Sequence, residues 1–333
     1  MSLIRLHSEV VDWFNSHGRP LPWRDREVTP WGVLVSEVML QQTPVARVLP
    51  VWDQWMSRWP APADLARAPQ AQVLRTWGRL GYPRRALRLQ QAAVVIAAEH
   101  DGVVPRSTEA LRSLPGVGEY TAAAVMAFAH GRRAVVLDTN VRRVLERMIG
   151  GNALPAPTLT VAERDRAAAL LPAADAESAR WNAALMELGA LVCTARSPDC
   201  RRCPVADRCT WLGAGRPADT YAHRRRRQAW EGTDRQARGR LMAALRAQDR
   251  PLAPTQLDEI WPAGEQRRRA LDSLVADGLA QRSPSGYHLP GQVESAAATG
   301  ERCSDQGHLD PLVAHRPGGR QTGSHWASVR SDL

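Results

Sequence analysis

Four of the five cysteines fall in one short stretch, Cys193, Cys200, Cys203 and Cys209, spaced C-x6-C-x2-C-x5-C. One loop can wrap four thiolates around a metal centre only if the segments between them can turn, and Pro198, Asp199 and Pro204 supply the turns. Zinc sites usually bring two separated cysteine pairs, each two to four residues apart. A single run with an outer cysteine further upstream suits the larger [4Fe–4S] cube, with zinc and free thiols as the competing readings. Cys303 stands far downstream with no visible partner.

Two carboxylates carry the second kind of chemistry. On a helix, Glu37 lies at i+4 from Val33 and i+3 from Leu34, so it shares an apolar stripe with them and with Val38, and Gln41 follows one turn on. A carboxyl on a buried face has its charged form disfavoured, which raises its pKa and suits it to act as an acid near neutral pH. The same position also suits a buried carboxylate that simply pairs with an arginine. Asp138 follows the apolar strip 134–137 and precedes Val141, Val144, Leu145 and Met148, a helical run. Asp138 or Asn140 suits the N-cap of that helix. Equally, an ionised carboxylate held at a helix start can face a developing cation. One carboxyl in an apolar setting and one in a polar setting is the pattern expected for cleaving a glycosidic bond.

The turn Leu114-Pro115-Gly116-Val117-Gly118 joins two helical patterns, 108–113 and 119–129, the second ended by Gly131. Glycines two apart let backbone approach a ligand closely and adopt positive φ, while the second helix points free N–H groups and its positive end out of the turn. Such a turn is a sequence-neutral phosphate grip or a plain helix–helix corner. The 44 basic residues exceed the 34 acidic ones by ten, which favours a polyanionic partner such as nucleic acid. Arg196, Arg201, Arg202 and Arg208 lie in or beside the cysteine loop, as phosphate contacts or as a solvated basic surface. Every basic residue is Arg, since the sequence contains no Lys. Schiff-base chemistry on a sugar aldehyde is therefore closed to every side chain and open only to the N-terminal amine.

These groups need a scaffold, and the 333 residues suggest about two domains, or one large domain with an appendage. At 44% hydrophobic and 23% charged, wholesale disorder is excluded. Residues 1 to about 220 show helical periodicity with little strand signal, including a helix ended near Asp101-Gly102 and a run through Leu185, Leu188 and Val192. The architecture is all-α. An Arg-rich linker at 221–234 leads to a compact module at 235–290, and 291–333 forms a disordered tail. In the module, Leu241, Leu245, Ile260, Leu271, Leu274 and Val275 are core-spaced over three short helices, followed by a hairpin broken at 283–286. That reads as a winged helix able to lay Arg267, Arg268 and Arg269 on DNA, or as a packing module. No repeat, signal peptide or bilayer-length apolar run is present, so a cytoplasmic, nucleoid-associated protein without membrane attachment is expected.

Taken together, the motifs are specific. Ser36-Glu37-Val38-Met39-Leu40-Gln41-Gln42-Thr43, Leu80-Gly81-Tyr82, Leu114 to Thr121, Asp138-Thr139-Asn140-Val141-Arg142-Arg143-Val144 and the cysteine run resemble, in order, adenine DNA glycosylases of the MutY type, within the helix–hairpin–helix superfamily. The resemblance spans roughly residues 5–215. It implies two helical lobes: an iron–sulfur domain of 1–28 with 134–220, and a six-helix domain of 29–133 holding the hairpin. It implies one [4Fe–4S] cluster on Cys193, Cys200, Cys203 and Cys209. Glu37 would protonate adenine at N7, Asp138 would stabilise the oxocarbenium-like sugar, and Tyr120 and Asn140 would hydrogen-bond within the pocket. Gln42, Thr43 and Tyr82 would enter the base stack or contact the damaged guanine. Gly116, Val117 and Gly118 would grip backbone phosphate, with Arg201 and Arg202 as further contacts.

The implied substrate is double-stranded DNA with adenine opposite 8-oxoguanine or guanine, and the implied enzyme is a monomer without lyase activity. An endonuclease III-like glycosylase acting on another damaged base is the runner-up, although that family's nucleophilic lysine is replaced here by Tyr120. A non-catalytic iron–sulfur DNA-binding protein is the other alternative. The chain departs from the family pattern at Thr139, where many members have Gly, and at Pro44 and Pro83. It also lacks any resemblance to the MutT-like domain that many relatives carry after the cluster.

Overall fold

The computed structural model describes residues 3–224 and 230–292. Arg225–Arg227, Cys303 and the tail beyond residue 292 lie outside the described residues.

The centre of the larger core is the helix Pro30–Leu40. The Thr29 hydroxyl accepts from the Gly32 amide at 3.3 Å, and Pro30 brings a preset φ to the first helical position. Every residue from Trp31 to Met39 is buried. The apolar stripe read from the sequence is thus too narrow: this helix is wrapped on all sides, and Gln41 falls outside it as the capping residue. Its Trp31 shares one core with Trp23, Trp52, Trp55, Trp59 and Trp77. Trp55 meets Trp59 and Trp77 edge-on, with centroids 4.9 and 5.4 Å apart, the geometry that ring quadrupoles favour. The indole N–H groups of Trp31 and Trp52 donate to the carbonyls of Trp59 and Gly32, whereas that of Trp55 is buried without a partner.

A second core forms where Leu6, Val10 and Trp13 of the helix Leu3–His17 pack on two others. These are Thr139–Leu145, through Val141 and Val144, and Asp175–Leu191, through Trp181, Leu185 and Leu188. The helix after Asp138 widens into a π turn at Glu146–Gly150, which keeps Met148 in the core. The chain leaves the second core after His17, builds the first, and returns at Asp138. Glu37 on the central helix and Asp138 at the start of Thr139–Leu145 therefore come from different cores.

Gly189 sets how closely Asp175–Leu191 approaches that start. A Cβ at this glycine would lie 2.6 Å from Asn140 Cβ and 3.0 Å from the Asn140 carbonyl oxygen. Gly189→Ala is expected to destabilise by about 1–3 kcal/mol through overpacking and to displace Asn140 and Asp138 with it. Thermal melting checks the first effect and single-turnover base release the second; an unchanged melting temperature with full activity would contradict the contact.

Residues 234–292 fold as the helices Asp234–Ala247, Pro254–Ile260 and Gly264–Ala276, followed by the hairpin Gln281–Ser283 with Gly286–His288. Leu252 bridges to Tyr287 beside it. Leu241, Leu245, Leu257, Leu271 and Leu274 join the larger core, whereas Val275, expected inside, is 38% exposed. Arg75 fastens this module by donating to the carbonyls of Arg246 and Gln248. Arg267 pairs with Asp258, and Arg269 with Asp234 and Glu265. Two of the three arginines expected to face DNA are thus occupied within the module. Among the described residues no helix is long and apolar enough to cross a membrane.

Candidate active site

Glu37 and Asp138 line one cleft of about 1600 Å³ between the two cores, together with Tyr120 and Asn140. The Tyr120 hydroxyl, from the first turn of the helix Glu119–Phe128, donates to Glu37 Oε2 at 3.1 Å. Burial pushes the Glu37 carboxyl up to about 7; the Tyr120 bond and the Arg24 charge oppose the rise, and the Asp138 charge adds to it. Asp138 is the helix cap. Its Oδ1 accepts from the Val141 amide at 2.6 Å and its Oδ2 from the Asn140 side-chain amide at 2.7 Å. Burial raises Asp138 as well, against these donors and the Arg143 charge. The expected contrast between the two carboxyls therefore has a different basis: both are withdrawn from water, and they differ in how many N–H groups hold them as anions.

Gln42, Thr43, Gly116, Val117 and Gly118 line the same cleft. Gln42 has a left-handed backbone, φ 54°; of the two turn glycines Gly116 takes positive φ, at 82°, and a Cβ there would lie 2.9 Å from Arg88 Cβ. Gly118 has extended backbone and begins the helix without a side-chain cap, and a Cβ on it would meet nothing within 4 Å. Its lack of a side chain leaves open the approach to the helix start. Tyr82 stands outside the cleft lining, 46% exposed. Arg85 ties its loop to the cleft edge, donating to the carbonyls of Gln41 and Gly81 and to the Thr43 hydroxyl. Arg201 and Arg202 are exposed beside the cysteine loop and away from the cleft lining. Arg208 is bound by Glu9.

The four clustered cysteines are free and partly buried, and each of the other three raises the thiol of Cys203 by its charge. Burial is the larger cause and pushes Cys203 up to about 12 as a thiol. The backbone N–H of Val205 points to Cys203, those of Leu212 and Trp211 to Cys209, and Arg147 Nη1 to Cys193 Sγ at 3.4 Å.

Residues 35–167 match the family model of HhH-GPD superfamily base excision DNA repair proteins, and 193–209 match the iron–sulfur binding domain of endonuclease III. An adenine DNA glycosylase of Mycolicibacterium smegmatis is 52% identical over 86% of this chain and 97% of its own length. The chain belongs to the adenine DNA glycosylases. A second such relative, from Mycobacterium tuberculosis, is 50% identical over 86% of this chain and 93% of its own length. Among solved structures, a thermostable thymine-DNA glycosylase aligns with a TM-score of 0.57 at 29% identity, covering 64% of this chain and 97% of that one.

The cysteine loop of the glycosylase fits a [4Fe–4S] cluster by its donor set. Four sulfurs, backbone N–H groups aimed at two of them, and the buried cations Arg143 and Arg147 suit a group that carries net negative charge with its thiolates. Among the described residues no three ligand-type side chains are grouped as a single metal ion requires. Arg143 connects the cysteine loop to Asn140 of the cleft lining. Its Nε donates to the Cys193 carbonyl at 2.7 Å and its Nη2 to Asn140 Oδ1 at 2.8 Å, so Cys193, Arg143, Asn140 and Asp138 form one continuous chain.

Sequence reasoning missed one further group in the glycosylase cleft. Arg19 Nε and Arg24 Nη2 hold the two oxygens of Glu187 at 2.6 and 2.8 Å. Burial alone would raise Glu187, but these hydrogen bonds overcome it and hold the carboxyl down to about 2. Arg19 and Glu187 are 168 residues apart, and no local spacing signals their meeting.

Proposed function

We propose that the glycosylase removes adenine opposite 8-oxoguanine or guanine in duplex DNA, working by base flipping into the cleft between the two cores. The observation that carries this reading is that Glu37 and Asp138, contributed by separate cores, line one cavity with Tyr120 bonded to Glu37. Flipping costs a few kcal/mol, less at a mispair. The lobes 1–28 with 134–220 and 29–133 close on the duplex, and Gly116–Gly118 take backbone phosphate while Gln42, Thr43 and Tyr82 meet the stack. Arg201 and Arg202 add phosphate contacts from the cysteine loop, whose cluster pins that loop in shape. The cleft is complete within one chain, so the enzyme acts as a monomer, at DNA of the nucleoid.

Glu37 carries the proton near neutral pH because its one donor, a phenol, does less for the anion than the amide donors do for Asp138. It delivers that proton to adenine N7. The C1′–N9 bond then breaks with its electron pair passing to the base, and positive charge grows on the sugar. Asp138 faces that charge as an anion, through space or through a transient bond to C1′. Water adds to C1′, and its proton returns to the Glu37 carboxylate. No lysine is present to trap the sugar, so strand cleavage by a lysine Schiff base is not part of the cycle.

Single-turnover excision opposite 8-oxoguanine, guanine and cytosine across pH 5–9 tests this. Adenine release is expected from the first two, with a rate that is level below about 7 and falls roughly tenfold per unit above it as Glu37 loses its proton. A rate that rises through that range would contradict the acid role.

A further inference from the structure

Tyr82 adopts a left-handed backbone, φ 45°, and two guanidinium groups approach its ring, Arg85 at 5.7 Å and Arg235 at 5.4 Å from the centroid. Arg85 is committed inward to the carbonyls of Val38, Met39 and Gln41. Arg235 is not. It projects, exposed, from the first turn of Asp234–Ala247, and its Nη2 donates to the Tyr82 hydroxyl oxygen at 3.1 Å. Among the described residues no carboxylate pairs with it, unlike Arg267 and Arg269 in the same module. The same guanidinium lies 5.3 Å from the ring centroid of Trp230, which is 50% exposed. An uncompensated cation thus stands between two exposed aromatic rings, and through Tyr82 and Arg85 it is continuous with Gln41 and Thr43 at the cleft.

We propose that residues 230–235 form a DNA contact in which Arg235 takes a backbone phosphate of the strand opposite the adenine, beside Tyr82 and Trp230. The inference rests on the reading of the Tyr82 edge as DNA-facing. The hydrogen bond to Tyr82 and the cation–π contacts with both rings hold the guanidinium in place, and its other N–H groups remain for a phosphate oxygen. The C-terminal module would then do more than pack against the larger core: it completes the grip on the strand that bears the damaged guanine.

Fluorescence anisotropy on full-length protein tests this, using duplexes with non-hydrolysable 2′-fluoro-deoxyadenosine opposite guanine or 8-oxoguanine. Arg235→Gln is expected to weaken binding about fivefold at moderate salt, equally for both duplexes, and to lower the slope of log affinity against log salt by about one. Arg235→Lys should retain the slope. Circular dichroism melts establish that the variants are folded. Unchanged affinity and slope in Arg235→Gln, with binding weakened in Tyr82→Ala, would overturn the Arg235 contact alone. Unchanged binding in both variants would remove the DNA-facing reading on which it stands, and a loss confined to one duplex would contradict a phosphate contact.

Discussion

Glu37→Gln is expected to slow single-turnover adenine release by about 10³–10⁴-fold while duplex affinity stays within a fewfold of wild type. The amide keeps the size of the side chain and a partner for the Tyr120 hydroxyl, 3.1 Å away in the native site, but has no proton to give. Loss of folding would mimic loss of chemistry, and linkage separates the two. The Glu37 carboxyl titrates at about 7 in the folded chain against 4.5 when unperturbed. The folded state therefore binds this proton more tightly than the unfolded state. Its stabilising effect is full below about 4.5 and is lost as pH rises through 7, a change of order 3 kcal/mol. The Gln variant lacks this term, so it should melt no lower than wild type at pH 8. A variant that melts lower at pH 8 would assign the lost activity to structure instead.

Removal of the iron–sulfur cluster should have the next largest effect. Cys200→Ala, prepared without visible absorbance, is expected to lose about a hundredfold in duplex affinity, because the arginines of 196–208 then sit on an unpinned loop. The structure adds a consequence for chemistry. Arg143 spans from the Cys193 carbonyl to Asn140, and Asn140 holds Asp138, so a slack loop also loosens the carboxylate proposed to face the sugar. Excision from fully bound enzyme should therefore fall too, by roughly tenfold or more. Unchanged affinity and excision in protein shown to lack iron would contradict both links.

How much of this was legible in the sequence depends on the range of the interaction. The cysteine spacing and the Asp138 cap are local patterns, and local patterns survive translation into structure: the match to the iron–sulfur binding domain begins at Cys193 and ends at Cys209, and Asp138 caps the helix that Val141 and Val144 predict. Glu37 was legible for a partly different reason than the true one. Helical spacing predicts one buried face, whereas packing by Val45–Arg58, Arg84–Glu99 and Glu119–Phe128 together buries the entire helix. The hairpin was legible as a turn, although only Gly116 needs positive φ and Gly118 serves by leaving space. The helix Val45–Arg58 carries Pro50 in its interior and was not anticipated. Long-range pairings left no trace in spacing. Arg19 and Arg24 meeting Glu187, Glu9 capturing Arg208, and Arg143 bridging cleft and loop each join segments that only tertiary packing brings together. Arg267 and Arg269, which composition offers to DNA, are given by the fold to carboxylates, Glu265 among them at the i,i+4 spacing of one helix.

The central claim is that Glu37 stays a neutral acid up to about pH 7 while Asp138 beside it is an anion. Difference infrared spectroscopy across pH 5–9, with Glu37→Gln and Asp138→Asn as references, reads it most directly. The prediction is a protonated-carboxyl band that disappears with a midpoint near 7 and is absent from Glu37→Gln but present in Asp138→Asn. A band missing from wild type at pH 6, or one that survives in Glu37→Gln and vanishes in Asp138→Asn, would place the proton elsewhere and contradict the mechanism.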